Sequence, residues 1–271
     1  MSSALITLVS ISTQAAVVAS DDASQSAYSD GWQGGDNGGS GWGSSWTLNS
    51  FANGGAAGFF VGSSGGNGGG NIDTGSSKSW GMYANSGGSP LSEAIRSFNG
   101  TLSVGQSVSL KMDNGFVNSG GTVGFGLRNS SGVNRFELFF VGGESFYKYN
   151  DGTSSTATSI GFTRDGIQIT FTQNAANGFS VSIVSGASSA SYTGTMSGSD
   201  IDRIRFFNSN SGSGSDHDLF FNSLQLVPEP TNVALTLFGV LACAGGVWSR
   251  VRRSRSVTMA ESHTSASNRP A

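Results

Sequence analysis

Val123-Gly124-Phe125-Gly126-Leu127, followed by Phe136-Glu137-Leu138-Phe139-Phe140-Val141, decides the fold of this chain. In the first run, large apolar residues alternate with glycine. In the second, Phe136, Leu138 and Phe140 share one parity and Glu137 takes the other. Successive side chains on a strand point to opposite faces, so period-two alternation marks a half-buried strand.

The same rhythm continues on both sides. Val108, Leu110 and Met112 alternate with Ser109 and Lys111, and further runs follow at Arg135–Val141, Ser145–Tyr149, Ile167–Thr172, Phe179–Val184, Ile201–Phe207 and Leu219–Leu226. Turn residues separate them at Asp113-Asn114-Gly115, Ser131-Gly132, Gly142-Gly143, Asp151-Gly152, Asp165-Gly166 and Asn177-Gly178. Short strands with turn signals every ~8–15 residues predict an all-β fold, an antiparallel β-sandwich. Parity assigns to its core Val108, Leu110, Val123, Phe125, Leu127, Phe136, Leu138, Phe140, Ile167, Ile169, Phe171, Val181, Ile183, Ile204, Phe206, Leu219, Phe221 and Leu224. A register slip of one residue would expose the whole set.

Residues 21–90 are rich in Gly, Ser and Asn, yet they carry aromatic rings that a pure linker would lack. Short strands are expected at Ser45–Asn49, Gly58–Val61 and Ser79–Ala84, with Ser92–Phe98 a brief helical turn or strand entry before Asn99-Gly100. On its strand rhythm, 100–226 resembles the jelly-roll sandwiches of the concanavalin-like lectin and glucanase group.

The two ends read differently. Val227-Pro228-Glu229-Pro230 is an extended hinge, because proline fixes φ and lacks an N–H donor. An uncharged run then spans Val233–Trp248, and Arg250, Arg252, Arg253 and Arg255 follow it. As a helix the run is ~24 Å long at ~1.5 Å per residue, short against a ~30 Å hydrocarbon core, and its glycines and alanines suit close helix contacts. Arginines directly after it favour a cytoplasmic C-terminus. These elements, in this order, resemble the PEP-CTERM sorting signal. The resemblance implies export by the Sec machinery, an inner-membrane intermediate, processing by an exosortase-type enzyme, and delivery to the cell surface or extracellular matrix. The matching residues are a recognition address for that enzyme. At the other end, apolar Ala4–Ile11 and the small residues of Val17-Val18-Ala19 resemble a secretory signal peptide cut before Ser20, though no Lys or Arg occurs before Lys78; the alternative is a first strand of the domain. The expected organisation is a leader at 1–19, a sandwich at 20–226, a sorting signal at 227–255 holding the transmembrane helix 233–248, and a polar tail at 256–271.

Composition narrows the function. Between Ser20 and Leu226 there are nine Lys and Arg against fifteen Asp and Glu, a net charge of −6. That argues against nucleic acid, which needs a basic footprint. The lone Cys243 lies in the apolar run, so the body has no disulfide. In Ser215-Asp216-His217-Asp218 the residues are adjacent, and adjacent side chains do not converge as a catalytic relay must. The body's glutamates are Glu93, Glu137 and Glu144, without the Glu-x-Asp-x-x-Glu strand of the jelly-roll glucanases. The expectation is a non-enzymatic protein.

Two binding chemistries remain. Trp32, Trp42, Trp46 and Trp80, with Tyr147 and Tyr149, could form an exposed platform for sugar rings, and extracellular polysaccharide would be the partner; the opposite reading packs those rings inside the sandwich. No cofactor is expected beyond a structural calcium. Asp216 and Asp218 are the candidate ligands, with Asp200/Asp202 and Asp36-Asn37 behind them, because alternate spacing on an extended strand would put two carboxylates on one side.

Overall fold

The structure, a computed structural model, describes residues 17–85 and 87–228. The expected apolar helix at 233–248, Glu229, Pro230, the four arginines and most of the expected leader lie outside the described residues. Among the described residues, no helix is long and apolar enough to cross a membrane.

The described residues form fifteen strands: β1 (Ala19–Asp21), β2 (Thr47–Phe51), β3 (Ala56–Gly62), β4 (Ser79–Asn85), β5 (Leu91–Ser97), β6 (Ser107–Asn114), β7 (Thr122–Arg128), β8 (Asn134–Val141), β9 (Phe146–Asn150), β10 (Ser155–Gly161), β11 (Ile167–Gln173), β12 (Gly178–Ser185), β13 (Ser188–Thr195), β14 (Arg203–Ser209) and β15 (Leu219–Val227). They form two antiparallel sheets. One has the order β13-β12-β11-β6-β15-β4-β3, with β1 added beside β15; the other has the order β10-β9-β8-β7-β14-β5-β2. Chain-distant strands such as β6 and β15, or β7 and β14, are neighbours, as in a jelly roll rather than a simple meander.

All eighteen residues that alternation assigned to the core are buried between the sheets. Aromatic rings bridge the layers. Phe206 of β14 stacks on Phe221 of β15 with centroids 3.6 Å apart, and Phe136 of β8 meets Phe171 of β11 at 4.8 Å. Each fully buried ring of this kind stabilises the fold by roughly 1.5–3 kcal/mol.

Two strands were not legible, and two segments take the strand alternative of their two readings. Ser92–Phe98 is no helical turn: β5 occupies Leu91–Ser97 and lies between β14 and β2. Apart from Ile160 and Tyr192, β10 and β13 are built from Ser, Thr, Ala and Gly, so they show no apolar alternation. β1 begins at Ala19, and the N–H of Val18 already donates to the Leu226 carbonyl at 2.8 Å. The cut expected before Ser20 therefore falls inside β1 and would strip Val18 and Ala19 from the sheet. Ser20 and Ser40 also exchange main-chain hydrogen bonds here. The approach is close enough that a Cβ on Gly39 or Gly41 would come within 2.0 Å of a carbonyl oxygen of Ser20 or Val18; both glycines also have positive φ.

Candidate functional site

The outer face of the seven-stranded sheet carries a cleft of about 300 Å³, lined by Leu91, Thr122, Glu137, Phe139, Arg205, Phe207 and Ser209. Register assembles it from four neighbouring strands. Glu137 of β8, Gly126 of β7 and Arg205 of β14 form one cross-strand row. Phe139, Gly124, Phe207 and Glu93 form the next. Phe125 and Leu127 point into the core, so Gly124 and Gly126 face outward, where the Phe139 and Glu137 side chains of β8 lie over them. The packing there is tight: a Cβ on Gly124 would lie 2.3 Å from the Leu138 carbonyl oxygen and 2.8 Å from the Phe139 Cβ.

Charge is concentrated at the centre. The Arg205 guanidinium pairs with Glu93 and lies 3.6 Å from Glu137, and Arg128 lies 3.9 Å from Glu93. Arg205 also sits over the Phe207 ring at 4.3 Å, a cation–π arrangement that fixes the guanidinium plane. Burial raises the Glu137 carboxyl above its ordinary value, against the opposing pull of Arg205 and Arg128. Burial and the charge of Arg205 lower Arg128. The result is a half-buried bed of fixed donors and acceptors between two phenylalanine walls. Such a cleft suits a neutral, hydroxyl-rich ligand that presents both polar edges and an apolar face.

The expected tryptophan platform is corrected. Trp32, Trp46 and Trp80 are only 3%, 1% and 0% exposed and pack edge-on or tilted against one another and Phe221. Rings in mutual contact bury far more apolar area than exposed ones, and that favours the interior. Trp42 is half-buried against Phe98, with the Arg96 guanidinium 5.0 Å from its ring. Tyr147 is also buried and donates its hydroxyl to Asn114.

The acidic pairs are placed differently from expectation as well. Asp216 belongs to a 3-10 turn, Ser215–His217, with Asp218 just after it, so the two do not alternate along an extended strand. Asp200 is engaged by Arg135 and Asn129, and Asp202 by Arg203. Asp36 accepts from the Gln33 amide. Among the described residues, no group of three or more His, Cys, Asp or Glu is arranged to hold a metal ion. Of the sorting-signal residues, only Val227, at the end of β15, and Pro228 are described.

Sequence reading put Glu137 opposite Phe136 and Leu138, and noted the outward glycines of β7, but did not join them to Glu93, Arg205, Phe139 and Phe207. The signal was present within each strand; the pairing of β14 with β5 and β7 was not.

No protein-family model and no curated protein matches the sequence. Among solved structures, lectin II from Ulex europaeus aligns at TM-score 0.40 and 8% identity over 68% of this chain and 98% of that one. Caenorhabditis elegans galectin LEC-6 aligns at 0.34 and 13%, over 47% and 85%. The catalytic domain of the glycoside hydrolase family 131 protein from Coprinopsis cinerea aligns at TM-score 0.52 and 12% identity, over 79% of this chain and 95% of that one. That last likeness is one of fold: the chain is a jelly-roll sandwich of the architecture on which that catalytic domain is built.

Proposed function

We propose that this chain is an exported, non-enzymatic protein of the cell surface or extracellular matrix, sorted through its C-terminal signal, and that its sandwich binds carbohydrate in the Glu93–Glu137–Arg205 cleft. One observation supports the binding reading above the others: a cleft lined by Phe139 and Phe207, with a guanidinium held by two carboxylates at its centre. Glycan hydroxyls meet charge-assisted donors and acceptors there, and the ring walls cover the apolar face of a sugar. The lectins and the glycoside hydrolase domain named above lend this reading context at the level of fold.

A hydrolytic reading would use the same two glutamates. A glycosidase holds its carboxyl groups ~5–10 Å apart on either side of the bond to be broken. Here Arg205 contacts both carboxylates and so fills the space between them. That arrangement favours binding over cleavage.

Glycan-array binding of the protein and of Phe139→Ala tests the site. Retention of a glycan by the parent and its loss in the variant is the expected result; equal binding by both would end the proposal for this cleft. Release of reducing ends by the parent would restore the hydrolytic reading. Deleting residues 228–255 tests the sorting reading, and unchanged surface delivery would refute it.

A further inference from the structure

We propose that β13 pairs with β13 of a second copy of this chain, antiparallel across a two-fold axis, so that two eight-stranded sheets join into one. β13 is an edge strand of eight residues in unbroken register with β12 from Gly178↔Thr195 to Ser185↔Ser188. Among the described residues, its main chain hydrogen-bonds only to β12. The opposite row of N–H and C=O groups faces outward, and such a row is a template for another strand.

Folded proteins commonly blunt an edge of this kind with a charge, a proline, a bulge or a short strand. β13, Ser-Ser-Ala-Ser-Tyr-Thr-Gly-Thr, has none of these. The other edges differ. β10 carries a register irregularity between Ala157 and Gly161 and pairs with β9, which holds Lys148. β2 and β3 lie beside each other at the far end of the sandwich. β10 does touch β13, but through a side chain: the Ser159 amide donates to the Tyr192 hydroxyl at 2.6 Å.

Charge selects the second copy as the occupant. Residues 166–199 contain no Asp, Glu, Lys, Arg or His, although 20–226 carries a net charge of −6. Two copies of an acidic molecule repel over most of their surface, and this neutral stretch is where they can meet without like-charge contact. The exposed side chains of β13 are Ser188, Ser189, Ser191, Thr193 and Thr195 beside Gly194, small enough for a second backbone to approach. Ser and Thr opposite Ser and Thr are compatible cross-strand partners. An isologous antiparallel pairing also closes after two copies.

Sedimentation of the protein recovered from its host tests this, comparing the parent with Ser191→Lys/Thr193→Lys and with Gln168→Lys. Gln168 is exposed on β11, two strands in from the edge. The parent and Gln168→Lys are expected to approach twice the monomer mass as concentration rises, and the double-lysine variant to stay monomeric. As a second readout, Ser191→Cys in a Cys243→Ser background is expected to give a disulfide-linked dimer on mild oxidation. A parent monomeric throughout, a double-lysine variant that associates like the parent, or open-ended growth from pairing of unlike edges would each overturn the proposal.

Discussion

The guanidinium of Arg96 in β5 and the carboxylate of Asp21 in β1 form an ion pair in which neither side chain reaches solvent. It ties the first described strand to the opposite sheet. Arg96 also donates to the Ser44 carbonyl at 3.1 Å, and to the Asn37 side chain and the Gly38 carbonyl at 2.8 Å each, while Trp42 and Trp46 flank it at 5.0 and 5.3 Å. Tyr28 donates to Asp21 and accepts from the Trp46 indole at 2.9 Å. Burial, with the Asp21 charge behind it, holds the Tyr28 phenol well above its usual range. The network makes the Gly-rich segment before β2 part of the domain.

Breaking that pair on one side leaves a buried charge alone, which costs ~3–5 kcal/mol where the burial is complete. Arg96→Met is expected to lower stability by about that amount in urea unfolding. Asp21→Asn added to Arg96→Met is expected to cost much less than the sum of the two single changes, since the orphaned charge is gone. Additive losses would mean the two side chains act independently.

Tryptophan emission reports the interior packing directly. With Trp32, Trp46 and Trp80 buried and Trp42 half-buried, emission of the Trp248→Phe protein is expected to be blue-shifted and largely resistant to acrylamide. The residual quenchable fraction is expected to fall when Trp42→Phe is added to that variant. Strong quenching of the folded Trp248→Phe protein, or quenching unchanged on adding Trp42→Phe, would contradict this arrangement.

The parity of the strands from Val108 onward carried the fold, because apolar alternation is the direct trace of a half-buried face. It failed in β10 and β13, where a single large side chain each, Ile160 and Tyr192, stands among small and polar residues and leaves no alternation to read. It also failed for tryptophan. A lone Trp32 or Trp80 reads alike as surface platform or core ring, and only the tertiary fold brings them together. The cleft shows the same limit: Glu93 and Arg205 are 112 residues apart and face each other only because β5 and β14 pair.

Acid should stabilise this protein relative to neutral pH. Burial, reinforced by the charges of Asp73 and Asp165, pushes the Asp113 carboxyl up to about 7, and one of its oxygens is buried without a hydrogen-bond partner. Burial and the neighbouring Asp216 push Asp218 up to about 7 as well. A raised carboxyl binds its proton more tightly in the folded state, so its contribution is fully present below the unfolded value of ~3.9 and is lost as pH rises through about 7. The carboxylates that the fold lowers, Asp22, Asp73 and Asp200, act in the opposite direction at pH below ~4. Between pH 5 and pH 8 the melting temperature is therefore expected to fall, by an energy on the order of a few kcal/mol at ~1.4 kcal/mol per pH unit. Asp113→Asn is expected to flatten that slope and raise the melting temperature at pH 8. A slope unchanged in the variant would remove Asp113 as its source.

The cleft makes a final prediction in which stability and binding separate. Arg205→Ala leaves Glu93 and Glu137 without the cation both contact, and two half-buried carboxylates then lose a shared partner. The expected cost is about 1–3 kcal/mol, together with loss of glycan binding. Adding Glu137→Gln removes one of the unpaired charges, so it is expected to restore much of the stability and none of the binding. Arg205→Lys keeps the charge but not the planar fork that reaches two carboxylates while lying over Phe207. It should unfold nearly as the parent does in urea and bind glycan weakly. Full binding by Arg205→Lys would mean that the cleft needs only a positive charge, and the argument from guanidinium geometry would fail.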